Sequence, residues 1–392
     1  MSDRFTLAAR ANVPPFHVMD LLAAAQRRQK SHGDLVNMVA GQPSTGAPAP
    51  VTAEAIRLLQ SDDPLGYTIA TGIPELRERI AEHHRTRHGI EVSADDVVVT
   101  TGSSGGFLLA FLSAFEPGDR VAMARPGYPC YRNVLVALGC DVVEIDCGPE
   151  TRFQPTVAQL EELGDIKGVV IASPANPTGT MLLPEELAAI ARWCEERGVQ
   201  LISDEIYHGI EYAPLEGHAP LSRSAWETSR EAVVFCSFSK YFSMTGWRIG
   251  WMLVPERLRR PVDVLTGNFT ICPPAVAQWA AVRAFDDASY AELDGHVARY
   301  AGNRRLLLDG LPAMGITELA PADGAFYVYA DVGHLTDDSM TFAHDVLART
   351  GVAMAPGVDF DTEVGHRHVR FSFAGPRSDV ELGLERLAGF LA

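Results

Sequence analysis

Between about residues 97 and 255 the sequence repeats one pattern: a short run rich in β-branched residues, a turn rich in Gly, Ser, Pro or Asn, and a helical stretch. The runs do not alternate between apolar and polar residues, which indicates strands that are buried on both faces. Such strands, separated by helices, are typical of a mostly parallel sheet covered by helices in an α/β fold. The apolar runs span residues 96–102, 119–129, 168–177, 199–207, 232–240 and 249–254.

The sequences on either side of this region have a different pattern. Residues 20–32 and 51–60 are helical in their spacing of apolar residues, and a long helical stretch begins at about residue 286. The segments GAFYVYADV and HVRFSFAG follow it and have the composition of strands, with a further helix near 340–350 between them. This order is typical of a smaller α+β unit.

The length of 392 residues allows two domains. We predict a large domain at residues 46–285 that is built on a sheet of the seven-stranded, mostly parallel type. We predict a smaller α+β domain that is formed by residues 1–45 together with residues 286–392.

Charge and cysteine content exclude several classes of function. The net charge of −17 argues against non-specific binding to nucleic acid or to acidic membranes. The six cysteines have neither CxxC spacing nor a paired histidine pattern, so they indicate no metal site and no disulfide framework. The cysteines and charge therefore leave a globular protein without metal or nucleic acid as the expectation.

The sequence also lacks the signals of a membrane or secreted protein. The longest apolar stretch, 107–115, has about half the length of a membrane span. Because the start of the sequence also lacks the apolar core of a signal peptide, we predict a cytoplasmic protein.

Ligands of parallel sheets bind at the carboxyl ends of the strands, and unusual residues follow several of the predicted strands here. Ser103 and Ser104 come after Gly102 and begin a helix whose free N–H groups suit an anion. The same letters also satisfy G-x-S-x-G, the nucleophile elbow of α/β-hydrolases, with Ser104 as nucleophile. A hydrolase would need Asp204 and a later histidine, for which the candidates are His334, His344, His366 and His368.

Three further strand ends carry aromatic or polar residues. Tyr128 lies on a proline-flanked turn in PGYPCY, where it could stack on a flat ring, and Asn176 lies between two prolines in SPANPTGT. Asp204 ends an apolar run three residues before Tyr207. A carboxylate at the end of a buried strand is costly unless a cation or several donors meet it, and a protonated pyridine nitrogen would be such a partner.

The segment SFSKYFSMTGWRIG contains Lys240, one of only three lysines in a chain with 33 Lys and Arg. A lysine can lose its proton and become a nucleophile, whereas an arginine stays protonated. Ser237 and Arg248 in the same segment suit a phosphate. In chain order, the strand ends therefore supply an anion site, a stacking ring, a hydrogen-bonding amide, a carboxylate and an amine, which together meet the needs of pyridoxal 5'-phosphate.

With these motifs the chain resembles the fold-type I, class I/II pyridoxal-phosphate-dependent aminotransferases, the aspartate aminotransferase superfamily, over nearly its whole length. The motifs that carry the resemblance are S-x-S-K with GWRIG, and NPTG followed 28 residues later by D-E-x-Y. The resemblance implies that Lys240 forms a Schiff base with the cofactor, that Asp204 keeps the pyridine nitrogen protonated, and that Tyr128 stacks on the ring. Asn176 and Tyr207 would bond the phenolic oxygen. The phosphate would be held by Ser103, Ser104, Ser237 and Arg248.

Three more residues match positions of this family. Tyr67 matches the residue that reaches the phosphate of the neighbouring subunit, which implies a homodimer. Gly41 matches a backbone contact to the substrate carboxylate, and Arg370 matches the arginine that forks onto the α-carboxylate. In HVRFSF, Arg370 alternates with apolar residues and therefore lies on the polar face of a strand. From the residues alone, a structural ion pair at Arg370 is an equally open interpretation.

The implied reaction moves an amino group between an L-amino acid and a 2-oxo acid in two half-reactions of a ping-pong mechanism. Family members acting on aspartate or glutamate need a second cation, which some bacterial relatives supply from a lysine near the helix after the phosphate turn. Here that segment, 107–119, has no Lys or Arg, so we favour a neutral donor such as alanine or valine. Phe16 and His17 are candidates for the side-chain pocket. The alternatives are an aspartate- or glutamate-type aminotransferase with an arginine from the partner subunit, a β-lyase or racemase on the same site, and a non-catalytic binding protein.

Overall fold

The computed structural model describes residues 6–212 and 223–392, and these ranges contain two β-sheets. The α-helices of the described chain are α1 (His17–His32), α2 (Ala49–Leu59), α3 (Pro74–His83), α4 (Gly102–Ala114), α5 (Pro129–Leu138), α6 (Val157–Glu162), α7 (Pro184–Arg197), α8 (Glu256–Phe269), α9 (Ala275–Ala281), α10 (Asp287–Ala313), α11 (Ser339–Thr350) and α12 (Arg377–Leu391). The strands are β1 (Val36–Met38), β2 (Val97–Thr100), β3 (Arg120–Arg125), β4 (Asp141–Asp146), β5 (Gly168–Ala172), β6 (Gln200–Asp204), β7 (Val233–Ser237), β8 (Gly250–Leu253), β9 (Tyr327–Asp331), β10 (Val352–Pro356) and β11 (His368–Ser372).

The larger sheet has seven strands in the order β2-β8-β7-β6-β5-β3-β4. The neighbours from β4 to β7 pair in parallel, and only β8 is antiparallel to its neighbours. Strands β6, β7 and β8 are buried along their whole length, which is why their residues do not alternate in polarity. The predicted α/β fold with a mostly parallel sheet is therefore confirmed.

The sequence pattern did not predict β4, which lies at the edge of this sheet. Most residues of β4 are partly or fully exposed, and acidic residues occupy three of its six positions. An edge strand has a neighbour on one side only and needs fewer apolar residues than a central strand. The pattern of β-branched runs was consequently too weak to find it.

The parallel strands bring the predicted site residues to one edge of the sheet. β5 ends at Ala172, four residues before Asn176, and β6 ends with Asp204 itself. β7 ends with Ser237, and Lys240 follows after two more residues. The connections after these strands therefore hold the polar side chains above the core, at the carboxyl edge.

The smaller sheet has the order β1-β10-β11-β9. Strand β1, from the N-terminal segment, pairs in parallel with β10, and the other pairs are antiparallel. The N-terminal segment thus shares a sheet with strands from the last third of the chain. The division into domains at 46–285 and at 1–45 with 286–392 stays a prediction.

Candidate active site

A cavity of about 760 Å³ lies at the carboxyl edge of the seven-stranded sheet. Its walls come from both sheets and from α1, and most of the predicted site residues meet there. The predicted residues that line it are Gly41, Ser103, Ser104, Tyr128, Asn176, Asp204, Tyr207, Lys240, Arg248 and Arg370.

Lys240 is partly buried in the wall of this cavity. Its Nζ donates a hydrogen bond of 2.6 Å to the carbonyl oxygen of Gly41 and lies 5.4 Å from the centre of the Tyr207 ring. Loss of hydration, followed by the positive charge of Arg370, lowers the pKa of Lys240 from 10.5 to about 8. The side chain therefore has an appreciable fraction of free amine near neutral pH, which a nucleophile or a base requires.

Asp204, at the end of β6, is 2% exposed. Its carboxylate accepts hydrogen bonds from the hydroxyl of Tyr131 and, at 3.1 Å, from the backbone N–H of Ile206. Burial raises the pKa of Asp204 from 3.8 to about 6, and these hydrogen bonds oppose the rise. A cation in the cavity would stabilise the charged form of this carboxylate, and a protonated ring nitrogen is such a cation.

Arg370 lies on β11 and is 2% exposed, so the side of the strand that carries this arginine is turned into the protein. Its Nη1 donates to Asn176 Oδ1 at 2.7 Å, and its Nη2 donates to the carbonyl oxygen of Val39 at 2.8 Å. No ion pair of Arg370 is present among the described residues, and its Nε has no hydrogen-bond partner there. The guanidinium lies 4.3 Å from the ring centre of Tyr327 and 4.7 Å from that of Phe360. The structural ion pair considered from sequence is not formed within the described chain.

The start of α4 and Arg248 form a part of the cavity wall that suits a phosphate group. Thr101, the residue before α4, provides no side-chain cap for the first N–H groups of the helix, and Ser103 and Ser104 in its first turn line the cavity. Gly102 has a φ of +73°, and a Cβ at this position would lie 2.6 Å from Arg248 Nη2. Only glycine allows the guanidinium to approach the helix start this closely, and the two together suit a dianion.

Two predicted residues lie outside the cavity wall. Ser237 is buried, and its Oγ accepts a 3.0 Å hydrogen bond from the backbone N–H of Ser239. Ser239 and Thr245 line the cavity instead. The side chain of Tyr67 is 83% exposed on the surface of this chain, where a second subunit could be reached.

The donor set of the cavity fits pyridoxal 5'-phosphate. A helix start next to an arginine suits its phosphate, a buried carboxylate suits its ring nitrogen, and an amine of lowered pKa suits its aldehyde. The hydroxyl of Tyr207, which is 2.7 Å from the hydroxyl of Tyr327, and the amide of Asn176 suit its phenolic oxygen. These groups all lie in one cavity, which is the observation that supports the fit.

The serine-hydrolase alternative lacks a base. Ser104 lines the cavity, but no histidine of the described ranges does. Asp204 accepts its hydrogen bonds from Tyr131 and Ile206 and from no histidine. A triad on Ser104 is therefore not formed.

Sequence reasoning missed several residues of this site. Tyr131 is three positions after Tyr128 in the same motif, and Tyr327 lies in the strand GAFYVYADV, yet neither has a spacing that indicates its partner. Both contact their partners only through the tertiary fold, over 73 and 120 residues of sequence. Of the two candidates for the side-chain pocket, Phe16 lines the cavity and His17 does not.

The described residues contain no side-chain cluster for a metal ion and no helix that could span a membrane. No cluster of three or more His, Cys, Asp or Glu side chains there is arranged to hold a metal ion. None of the helices there has the length and apolar character that crossing a membrane would require.

Comparison with known proteins identifies similar chains over the whole length. A family model described as aminotransferase class I and II matches residues 33–387. A valine–pyruvate aminotransferase of Mycobacterium tuberculosis is 62% identical over 392 residues, which are 100% of this chain and 99% of that protein. An aspartate/prephenate aminotransferase of Thermus thermophilus is 34% identical over 374 residues, 94% of each protein.

Solved structures agree with these matches. The crystal structure of an aminotransferase from Mycobacterium tuberculosis has a TM-score of 0.96 to this chain at 62% identity, covering 99% of both chains. The aspartate aminotransferase from Thermus thermophilus with maleate has a TM-score of 0.91 at 32% identity, covering 98% of this chain and 99% of that one.

Proposed function

Because this chain belongs to the aminotransferases of class I and II, it is an enzyme that transfers an amino group between an amino acid and a 2-oxo acid, and we propose that it uses pyridoxal 5'-phosphate with an apolar donor such as valine. The observation that carries the proposal is the cavity in which Lys240, Asp204 and Arg370 meet. Pyruvate is the acceptor we propose, since the 62% identical relative is named for valine and pyruvate.

Pyridoxal phosphate, when bound, supplies an aldehyde carbon and a protonated ring that draws electrons away from the α-carbon of the substrate. Asp204 would hold the proton on the ring nitrogen, because a buried carboxylate is stabilised by a cation beside it. Tyr131 supports this role, since its hydroxyl donates to Asp204 and fixes the carboxylate. Ser103, Ser104 and Arg248, with the start of α4, would hold the phosphate.

Lys240 would move the proton of the reaction. As the free amine, its Nζ would accept a proton from the α-carbon of the substrate and return it to another atom on the same face of the bound cofactor and substrate. The lowered pKa, about 8, makes this amine available without strongly alkaline conditions. The carbonyl of Gly41, which holds Nζ at 2.6 Å, keeps the side chain directed into the cavity.

Arg370 would bind the α-carboxylate of either substrate. Its guanidinium is fixed by stacking between Tyr327 and Phe360, so its planar donor set is already oriented. Its partners in this structure are neutral oxygens of Asn176 and Val39, and a carboxylate is a stronger acceptor than either. The buried Nε without a partner is a further donor at this end of the cavity.

The wall that the start of α1 gives to the cavity is mostly apolar, which supports a neutral donor. Phe16, which precedes α1, and the α1 residues Val18, Met19 and Leu22 line the cavity. The cations that line the cavity, within the described chain, are Lys240, Arg248 and Arg370, and each has a role with the cofactor or the α-carboxylate. An aspartate or glutamate side chain would find no further cation among the described residues that line the cavity and would have to be neutralised by a partner subunit.

The test is a set of half-reactions followed by the absorbance of the bound cofactor. We expect valine and alanine to convert the aldehyde form to the amine form, and pyruvate to restore it. Aspartate and glutamate should react much more slowly. Release of pyruvate and ammonia from a β-substituted amino acid, with no need for an amino acceptor, would favour the β-lyase. No spectral change with any amino acid would favour a binding protein without turnover.

We also propose a homodimer located in the cytoplasm. Tyr67 lies on a loop that is held in place by the buried Gln278, whose Nε2 donates to Thr68 Oγ1 at 2.9 Å and whose Oε1 accepts from Ile73 N at 2.8 Å. The side chain of Tyr67 is nevertheless 83% exposed. Because Tyr67 matches the family position that reaches the neighbouring subunit, its exposure on a fixed loop supports a second subunit at this surface.

A further inference from the structure

The first turn of α1 is capped by a residue from the far end of the chain. The residue before α1 is Phe16, whose side chain cannot accept a hydrogen bond. The backbone N–H groups of His17 and Val18 instead donate to the carboxylate of Asp359, at 2.8 Å and 2.6 Å. A carboxylate at a helix start is favoured both by these bonds and by the helix dipole. Asp359 is 2% exposed, so the contact is sheltered from water.

The residues beside this contact form the apolar wall of the active-site cavity. Phe16 and Val18 flank the capped backbone and line the cavity together with Met19 and Leu22. The Phe16 ring also packs edge-to-face on Tyr128, with ring centres 6.1 Å apart. The position of this wall therefore depends on where the start of α1 is held.

The residue after Asp359 contacts two other parts of the same site. The carbonyl oxygen of Phe360 accepts a 2.8 Å hydrogen bond from the backbone N–H of Gly127, which precedes Tyr128. The Phe360 ring lies 4.7 Å from the guanidinium of Arg370. One short segment, Asp359–Phe360, thus joins the apolar wall to Tyr128 and to the proposed carboxylate-binding arginine.

We infer that Asp359 is a positioning residue for substrate specificity. By capping α1 it sets the distance between the apolar wall and Arg370, and this distance determines the size of the donor side chain that the site accepts. The inference rests on the proposed function, because it takes Arg370 as the anchor of the α-carboxylate. With the carboxylate fixed at one end, the wall contacts the methyl groups of valine and leaves the single methyl of alanine with fewer contacts. Loss of the cap moves the wall, and this weakens the contacts to the methyl groups of valine more than the contacts to the methyl group of alanine.

The test compares Asp359→Ala with Asp361→Ala. Asp361 is also buried, and its Oδ1 accepts two backbone N–H groups, at 2.9 Å each from Glu363 and Val364, but both belong to its own loop. We expect Asp359→Ala to lower the ratio of kcat/KM for valine to that for alanine by about 10-fold, the scale on which hydrophobic pockets discriminate methyl groups. Asp361→Ala should leave this ratio within about 2-fold, which is well below that scale.

A second readout needs no catalysis. Amide hydrogen exchange of residues 17–22 in the cofactor-free protein should become faster in Asp359→Ala and stay unchanged in Asp361→Ala. If Asp359→Ala does not fold, Asp359→Asn, which keeps one acceptor oxygen, should show the same changes in a weaker form. An unchanged valine-to-alanine ratio, or equal effects of both substitutions on exchange in α1, would overturn the inference. A wild-type enzyme that uses neither amino acid would contradict the proposed function, and the exchange measurement would still decide the role of Asp359.

Discussion

Lys240 differs from the other two lysines of the chain in its surroundings. Lys30 and Lys167 are exposed, whereas Lys240 lies in the cavity near Arg370 and has a pKa of about 8. In the cofactor-free protein, an amine-reactive probe should therefore label Lys240 at a rate that rises to half its maximum near pH 8. Peptide mapping would assign the labelled residue. Half-maximal labelling near the usual pKa of lysine, about 10.4, would contradict this account of the site.

Arg370→Lys tests the recognition of the α-carboxylate. Lysine cannot reproduce the planar pair of hydrogen bonds of an arginine. Since a bond to a charged group is worth about 1.5–3 kcal/mol, kcat/KM for amino acids should fall about 10- to 150-fold. Turnover of simple amines, which have no carboxylate, should change little, and the bound cofactor should keep its absorbance. Equal losses for amines and amino acids would show that Arg370 supports the fold and does not bind the substrate.

The sequence predicts the site residues that lie within motifs better than the residues that hold those site residues in position. Asp204 is the last residue of β6 and Lys240 lies three residues after the end of β7, so the pattern of strands places them at the carboxyl edge. Tyr131 and Tyr327 act through contacts between distant parts of the chain, which a single sequence does not encode in its spacing. The cap of α1 by Asp359 spans 342 residues and is missed for the same reason.

At the level of secondary-structure elements, the proposed phosphate site at the start of α4 can be tested by substituting a glycine. Gly102→Ala places a Cβ 2.6 Å from Arg248 Nη2, whereas Gly198→Ala, at the end of α7 with a φ of +64°, meets nothing within 4 Å. Both substitutions put alanine in the left-handed region, which costs about 1–2 kcal/mol of unfolding free energy. Only Gly102→Ala should also weaken the binding of pyridoxal phosphate, which an equilibrium titration of the cofactor-free protein measures. Equal cofactor affinity in the two variants would contradict a phosphate site at α4.

The helices follow the sequence prediction closely where their ends are marked by particular residues. The segment LPEELAAIARWCEERG, residues 183–198, has a proline in its first turn and a glycine at its end, a pattern that predicts a helix, and it forms α7, Pro184–Arg197. The start predicted at residue 20 lies three residues late, since α1 begins at His17 without a capping side chain of its own. Elements that are stabilised from elsewhere in the chain have ends that local sequence does not mark.

For the whole molecule, the proposed dimer makes a prediction about Tyr67. Tyr67→Phe removes one hydroxyl that would reach the phosphate in the neighbouring subunit. Cofactor binding should weaken by about 10- to 150-fold, as expected for one hydrogen bond to a charged group, while sedimentation still shows a dimer. Unchanged cofactor affinity in Tyr67→Phe, or a wild-type protein that sediments as a monomer with its cofactor bound, would show that the site is complete within one chain.

The choice of amino-group donor is the central claim for the whole molecule, and a competition experiment measures it directly. The purified enzyme, with pyridoxal phosphate bound, is given equal concentrations of valine and aspartate with pyruvate as acceptor, and consumption of both donors is followed. The ratio of consumption rates equals the ratio of kcat/KM, because the donors compete for one site. We predict consumption of valine with formation of alanine, and a ratio of at least about 100 in favour of valine, since an aspartate carboxylate would be buried without a cation. Faster consumption of aspartate would contradict the account.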